Sequence, residues 1–92
     1  MRAYERLMNY VKVHTTSQDG TGRTPTTERQ LDLARMLAEE MRAMGIADAR
    51  VDGFGYVYGS LPATLGCEKS PAIGWIAHMD TAQAFSGENV KP

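Results

Sequence analysis

The sequence predicts an α/β fold in which helices flank a mixed β-sheet. Three features of the 92 residues predict it. Residues 27–44 have the periodicity of an amphipathic helix, and residues 49–52 and 56–61 are typical of two short strands. Residues 73–77 form an apolar run, which is typical of a strand covered on both faces. The expected order is helix, loop, helix, strand, strand, loop, strand.

The first helix is expected at residues 2–13. Its apolar side chains fall on one helical face, which we expect to pack against the core; they are Tyr4, Leu7, Met8 and Val11. His14 follows the helix, and residues 15–27 are rich in Thr, Ser, Gly and Pro, which indicates a loop. We assign no functional role to His14.

The second helix, at residues 27–44, has signals at both ends. Thr27 and Gln30 have the spacing of a capping box, and Gly45 stands where a left-handed C-terminal cap is expected. The apolar stripe of this helix is expected to be buried; it comprises Leu31, Ala34, Leu37, Ala38, Met41 and Met44.

A hairpin is expected after this helix. Residues 53–55, Gly-Phe-Gly, suit a turn between the strands at residues 49–52 and 56–61. Tyr56 and Tyr58 should share one face of the second strand because side chains alternate along it.

His78 and Asp80 follow the apolar run at residues 73–77. Two residues that are two positions apart project to the same side of a strand, at the end of a sheet where ligands commonly bind. An imidazole can bind zinc through one ring nitrogen, and a nearby carboxylate can hold the ring in orientation. The alternative from spacing alone is a structural histidine that is partly buried and hydrogen-bonded.

Length and charge restrict the class of protein. Ninety-two residues form at most one small domain, and the net charge of −1 has no run of either sign, which argues against nucleic acid and membrane partners. Cys67 is the only cysteine and has no zinc-type spacing. No apolar stretch approaches the roughly 18 residues of a membrane span, and the first ten residues are too polar for a signal peptide. A cytoplasmic location is the expectation.

The C-terminal segment, IGWIAHMDTAQAFSGENVKP at residues 73–92, resembles the peptidase T family of tripeptide aminopeptidases. These zinc peptidases are grouped with carboxypeptidase G and acetylornithine deacetylase. Residues 6–17 and 26–45 also resemble the family, so the resemblance covers essentially the whole chain, but only the first part of such an enzyme. The matching motif comprises His78, Asp80 and Thr81, followed by Ser86, Gly87, Val90 and Pro92.

The resemblance implies that residues 1–92 are the N-terminal fragment of a zinc-exopeptidase catalytic domain, with no second domain. His78 would bind one metal of a two-zinc site, and Asp80 would be the catalytic-site residue that orients the imidazole. The other ligands and the general base would lie beyond Pro92, so we expect the fragment alone to be inactive. The complete protein would release the N-terminal residue from tripeptides, with a homodimer as one option for its assembly. The chain departs from the family at Ala82 and Gln83, where many members have Ser-Pro or Val-Pro.

Two other functions are compatible with the same residues. One is a different amidohydrolase of the family, such as an N-acyl amino acid deacylase or a dipeptidase. The other is a non-catalytic α/β interaction module in which His78 is structural. Zinc binding that depends on His78 would separate the enzymes from the module.

Overall fold

The computed structural model describes residues 1–92 and contains two helices and one hairpin. The helices are α1, Ala3–Tyr10, and α2, Gln30–Ala43. The strands β1, Arg50–Val51, and β2, Val57–Tyr58, pair antiparallel, with Arg50 opposite Tyr58 and Val51 opposite Val57. The expected order of two helices followed by a hairpin is confirmed, and this mixture of helix and sheet is compatible with an α/β class.

The C-terminal end of α2 forms as predicted. Gly45 has a φ of 97°, and its N–H donates to the Arg42 carbonyl at 3.0 Å. The Ile46 N–H donates to the Met41 carbonyl, also at 3.0 Å. This pair of hydrogen bonds is a Schellman motif, which satisfies carbonyls that the helix leaves open and favours glycine at the left-handed position.

The capping box predicted at the start of α2 is wrong. The helix begins at Gln30, three residues later than expected, and no side chain caps it. The Thr27 hydroxyl instead donates to the Thr16 carbonyl at 2.8 Å, and the Gln30 amide donates to the Thr27 hydroxyl at 3.0 Å. A hydrogen bond to a distant loop thus replaces the local cap.

The core lies between α2 and the hairpin. Within the predicted stripe, Ala34 and Ala38 are buried, whereas Leu37 is half-buried and Met44 is exposed. Leu33, which lies outside the stripe, is buried instead. The buried face of α2 is therefore rotated relative to the predicted stripe. The helix packs on the two strands of the hairpin, and no other strand contacts it.

The hairpin and its turn form where predicted, but the strands are shorter than the expected residues 49–52 and 56–61. The Asp52 carboxylate accepts the N–H groups of Phe54 at 2.8 Å and Tyr56 at 2.9 Å, and Gly55 has a φ of 84°. The rings of Tyr56 and Tyr58 lie 6.3 Å apart, as expected for residues on one face. Aspartate and glycine therefore close this turn through their usual local chemistry.

The prediction for α1 is wrong in length and in burial. The helix is shorter than residues 2–13 and contains no buried residue; Tyr4 and Leu7 are 55% and 58% exposed. Glu40 of α2 holds this helix in place. Its carboxylate forms an ion pair with Arg6 and accepts a hydrogen bond from the Tyr10 hydroxyl, with the two oxygens 2.6 Å apart. The apolar stripe stays exposed because no element of the structure covers it.

The buried strand predicted at residues 73–77 does not form. Ile73, Trp75 and Ile76 are 81%, 93% and 100% exposed, and no segment pairs with this run. The nearest ladder contact is an isolated parallel bridge between Thr16 and Thr81. A strand needs neighbours to satisfy its backbone groups, and residues 1–92 provide none at this position.

The unpaired segment gives the molecule a large surface. The accessible area is 7368 Å², whereas a compact protein of this mass exposes about 5,300 Å². The radius of gyration is 15.3 Å, against about 12 Å for a compact domain of this length. No helix of the structure has the length and apolar character needed to cross a membrane.

Candidate functional site

The structure brings His78 and Asp80 together, as predicted from their spacing. Nδ1 of the imidazole lies 3.1 Å from Oδ1 of the carboxylate. When Nδ1 carries the proton, it donates to Asp80, and the lone pair of Nε2 is then free to bind a metal. The His78 side chain is 84% exposed, so that nitrogen is accessible.

Asp80 lies in a partly polar environment. Its partial burial works to raise the pKa of the carboxyl, but hydrogen bonds with the Ser17 hydroxyl and His78 outweigh this effect and lower the pKa below its ordinary value. Asp80 is therefore an ionised acceptor at neutral pH, which is the state needed to hold an imidazole N–H.

The segment that carries His78 and Asp80 is attached to residues 15–19, which we call the anchor segment. The Thr81 N–H donates to the Thr15 carbonyl at 3.2 Å, and the Ser17 N–H donates to the Thr81 carbonyl at 2.9 Å. The Ser17 hydroxyl donates to the same carbonyl at 3.1 Å. These contacts fix the two peptide groups of Thr81, the residue that directly follows Asp80.

A second set of contacts holds the loop after Thr81. The Gly87 N–H donates to the Thr16 hydroxyl oxygen at 2.9 Å, and the Thr81 hydroxyl donates to the same oxygen at 3.3 Å. A Cβ at Gly87 would lie 2.9 Å from that oxygen, so only glycine permits this approach. The Asp19 N–H also donates to the Gln83 side chain, at 2.7 Å.

The sequence predicts no functional role for Thr16 or Ser17. Their contacts join residues 64 to 71 positions apart, and such contacts leave no periodic signal in the sequence. The one available signal was the resemblance of the Thr-Thr-Ser segment to the family, which gave a turn but no role.

Two cavities adjoin the pair. The larger, about 960 Å³, lies between α1, α2, the hairpin and residues 75–79, and apolar side chains line most of it. The smaller, about 270 Å³, has His78 and Asp80 in its wall together with Phe54 and Tyr56 of the hairpin. The pair therefore lies at the edge of space that could accept apolar groups.

The side chains near His78 could provide one ligand of a metal site, but not a complete set. No group of three or more His, Cys, Asp or Glu side chains in residues 1–92 could hold a metal ion. Cys67 is exposed in a loop, and His14 is half-buried beside the anchor segment. His78 is thus the candidate ligand, and Asp80 is the residue placed to orient it.

Comparison with known proteins finds relatives along almost the whole chain, although no protein-family model matches. Peptidase T of Desulfitobacterium hafniense (strain Y51) is 51% identical over 87 residues, which are 95% of this chain and 21% of the relative. Peptidase T of Clostridium perfringens (strain 13 / Type A) is 47% identical over 92 residues, which are 99% of this chain and 22% of the relative.

A third relative, Peptidase T of Halothermothrix orenii, is 43% identical over 91 residues, 99% of this chain and 22% of its own length. The chain therefore spans about a fifth of the length of the curated relatives that it matches. The resemblance expected from the motif at residues 73–92 is confirmed, and over almost its whole length this chain is similar to the peptidase T family.

Proposed function

We propose that residues 1–92 are part of a zinc-dependent aminopeptidase that releases the N-terminal residue from tripeptides. The observation that carries this proposal is the His78–Asp80 pair, joined at 3.1 Å, in a chain 51% identical to a Peptidase T. In the complete protein the segment would belong to a zinc-exopeptidase catalytic domain, whose sheet would pair with residues 73–77.

The role of Asp80 follows from its contact with the ring. With Nδ1 and the carboxylate oxygen 3.1 Å apart, Asp80 would accept a hydrogen bond from a protonated Nδ1 of His78 and leave the lone pair of Nε2 to bind a metal. Zinc bound in a two-metal site would polarise the scissile carbonyl and lower the pKa of a water molecule. The chain's own contribution is the oriented imidazole.

The isolated chain should not hydrolyse peptides. Catalytic zinc sites usually take three protein ligands and leave one position for water, and two-metal sites need more. Residues 1–92 contain no group of three or more His, Cys, Asp or Glu side chains that could hold a metal ion, so His78 would be one ligand of an incomplete site. The remaining ligands and the base would come from elsewhere in the complete protein.

The test compares hydrolysis of tripeptides, dipeptides and N-acyl amino acids by the complete peptidase that carries this sequence. We expect tripeptide cleavage that a chelator abolishes and zinc restores. The 92-residue chain, assayed in parallel, should show no turnover above a buffer-plus-zinc control.

The other outcomes are equally decisive. Cleavage of N-acyl amino acids or dipeptides in place of tripeptides would select another amidohydrolase of the same family. Absence of any metal-dependent hydrolysis by the complete protein would contradict the proposal and favour an interaction module. Chelator-sensitive turnover by the 92-residue chain would show that the ligands are supplied in another way, for instance by self-association.

A further inference from the structure

The site segment, residues 72–92, is held by one part of the molecule. Every hydrogen bond that joins residues 72–92 to the rest of the chain ends on the anchor segment, residues 15–19. No ion pair joins the two parts either, since the pair formed by His78 lies within the site segment. The position of His78 and Asp80 therefore depends on this anchor.

The anchor segment is itself fixed to the beginning of α2. The Thr16 carbonyl accepts the Thr27 hydroxyl at 2.8 Å and the Arg29 Nε–H at 2.9 Å. Thr15 and Thr16 are only 3% and 6% exposed, in a structure with few buried residues. The anchor thus connects the folded half of the chain to the site.

We propose that Thr16 and Ser17 are positioning residues that hold the Asp80 carboxylate against the His78 ring and so set the tautomer of that ring. This inference rests on the proposed role of His78 as a metal ligand. It concerns the metal-free chain, however, and can be measured there.

Ser17 acts on the backbone of Thr81, the residue that follows the pair. Its N–H and hydroxyl both lie within hydrogen-bonding distance of the Thr81 carbonyl, at 2.9 and 3.1 Å. The Thr81 N–H, in the peptide after Asp80, donates to the carbonyl of the neighbouring Thr15 at 3.2 Å. Both peptide groups of Thr81 are therefore held by the anchor segment, which fixes the backbone from which the Asp80 side chain extends toward the His78 ring.

Thr16 acts one step further away. Its hydroxyl oxygen accepts from the Gly87 N–H and the Thr81 hydroxyl, and so holds both ends of the loop that follows Asp80. Without this oxygen, both donors would lose their acceptor in a part-buried position. The loop would then move away from the anchor, and Asp80 would follow it.

The test measures the ring nitrogens of His78 by ¹⁵N NMR in the metal-free 92-residue chain, at a pH where the imidazole is neutral. The positions are probed by Ser17→Ala and Thr16→Val, which remove the hydroxyls, and by Ser17→Thr and Thr16→Ser, which keep them. Ser70→Ala in the exposed loop is the matched control. Asp80→Ala gives the ratio of the two neutral tautomers of His78 when the carboxylate is absent.

We expect the Nδ1–H tautomer to predominate in the unsubstituted chain. Ser17→Ala should lower the ratio of the Nδ1–H tautomer to the Nε2–H tautomer about fivefold, because an ordinary hydrogen bond changes an equilibrium by about this factor. The ratio should thus move toward the value measured in Asp80→Ala. Thr16→Val should lower it less, while both conservative variants and Ser70→Ala should keep it. A purely structural role would lower stability without changing this ratio.

The proposal would be overturned if the tautomer ratio is unchanged in folded Ser17→Ala and Thr16→Val chains but changed in Asp80→Ala.

If either variant loses the dispersed amide signals of α2, amide hydrogen exchange in the unsubstituted chain decides whether the anchor holds. Protected amides at Ser17, Thr81 and Gly87 would support the anchor, and exchange as fast as in residues 61–70 would contradict it. Absence of zinc from the complete peptidase would refute the proposed function while leaving this metal-free result intact.

Discussion

Residues 1–60 and residues 61–92 differ in how far their apolar side chains are buried. In residues 1–60, Leu33, Ala34 and Ala38 are buried between α2 and the hairpin. In residues 61–92 no residue is buried, and Trp75 and Ile76 are almost completely exposed. The first part has neighbours supplied by local sequence, whereas the second, which carries the candidate site, is hydrogen-bonded to the fold only through the anchor segment.

The expected effect on activity concerns the second part of the chain. In the complete protein, Asp80→Ala should lower kcat/KM by about 10- to 100-fold, because the imidazole loses the group that orients it. Steady-state kinetics on a tripeptide would measure this effect. Glu39→Ala, which removes an exposed carboxylate from α2, is the control and should leave the kinetics unchanged. Equal kinetics for the two variants would remove Asp80 from the site.

The difference in burial predicts a difference in stability. Leu33→Ala should lower the free energy of unfolding of the 92-residue chain by about 2–5 kcal/mol, because it leaves a cavity in the core. Trp75→Ala, at a residue that is 93% exposed, should change it by less than about 0.5 kcal/mol. Denaturant unfolding monitored by circular dichroism would compare them. Similar losses in both variants would mean that residues 61–92 are packed as well as residues 1–60.

The same difference explains which features could be predicted from the sequence. Gly45 and the turn from Asp52 to Gly55 act within a few residues, so the end of α2 and the hairpin were predicted correctly. The start of α2 was not, because the Thr27 hydroxyl bonds to the distant Thr16 carbonyl. The apolar pattern at residues 73–77 indicates that the segment favours burial, but it does not supply the neighbouring strands that burial needs.

The site shows the same limit. His78 and Asp80 are two positions apart and their side chains meet, although the strand expected before them does not form. The contributions of Thr16 and Ser17 could not be predicted from spacing, since they lie more than sixty positions away and have ordinary loop composition. Their placement required the fold.

A smaller effect is expected from the left-handed glycine of α2. Gly45→Ala should cost about 1–2 kcal/mol, because a Cβ is unfavourable at a φ of 97° although no neighbouring atom obstructs it. Gly74→Ala is the matched control, since Gly74 has open space and no positive φ, and it should have little effect. Thermal unfolding of both variants would test this. A cost at Gly74 equal to that at Gly45 would indicate packing around residues 73–77.

The smallest effect concerns Asp48, at the base of the hairpin. The Ser60 hydroxyl and the Ser60 N–H, at 2.9 Å, hydrogen-bond its carboxylate and lower the pKa of Asp48 below its ordinary value. A lowered pKa means that the contribution to stability is present above the ordinary pKa and is lost as the pH falls through the folded-state pKa. Ser60→Ala should therefore raise the pKa of Asp48 in an NMR titration, and Ser70→Ala should not. An unchanged Asp48 titration in Ser60→Ala would exclude this contact.

The proposal that residues 72–92 contribute a metal ligand is tested most directly by the metal content of the complete protein. The protein would be purified with zinc, dialysed against metal-free buffer and analysed by mass spectrometry, together with His78→Ala and His14→Ala. We expect two zinc ions per chain in the unsubstituted protein and in His14→Ala, and the loss of at least one in His78→Ala. Two retained zinc ions in a folded His78→Ala protein would contradict the assignment of His78 as a ligand.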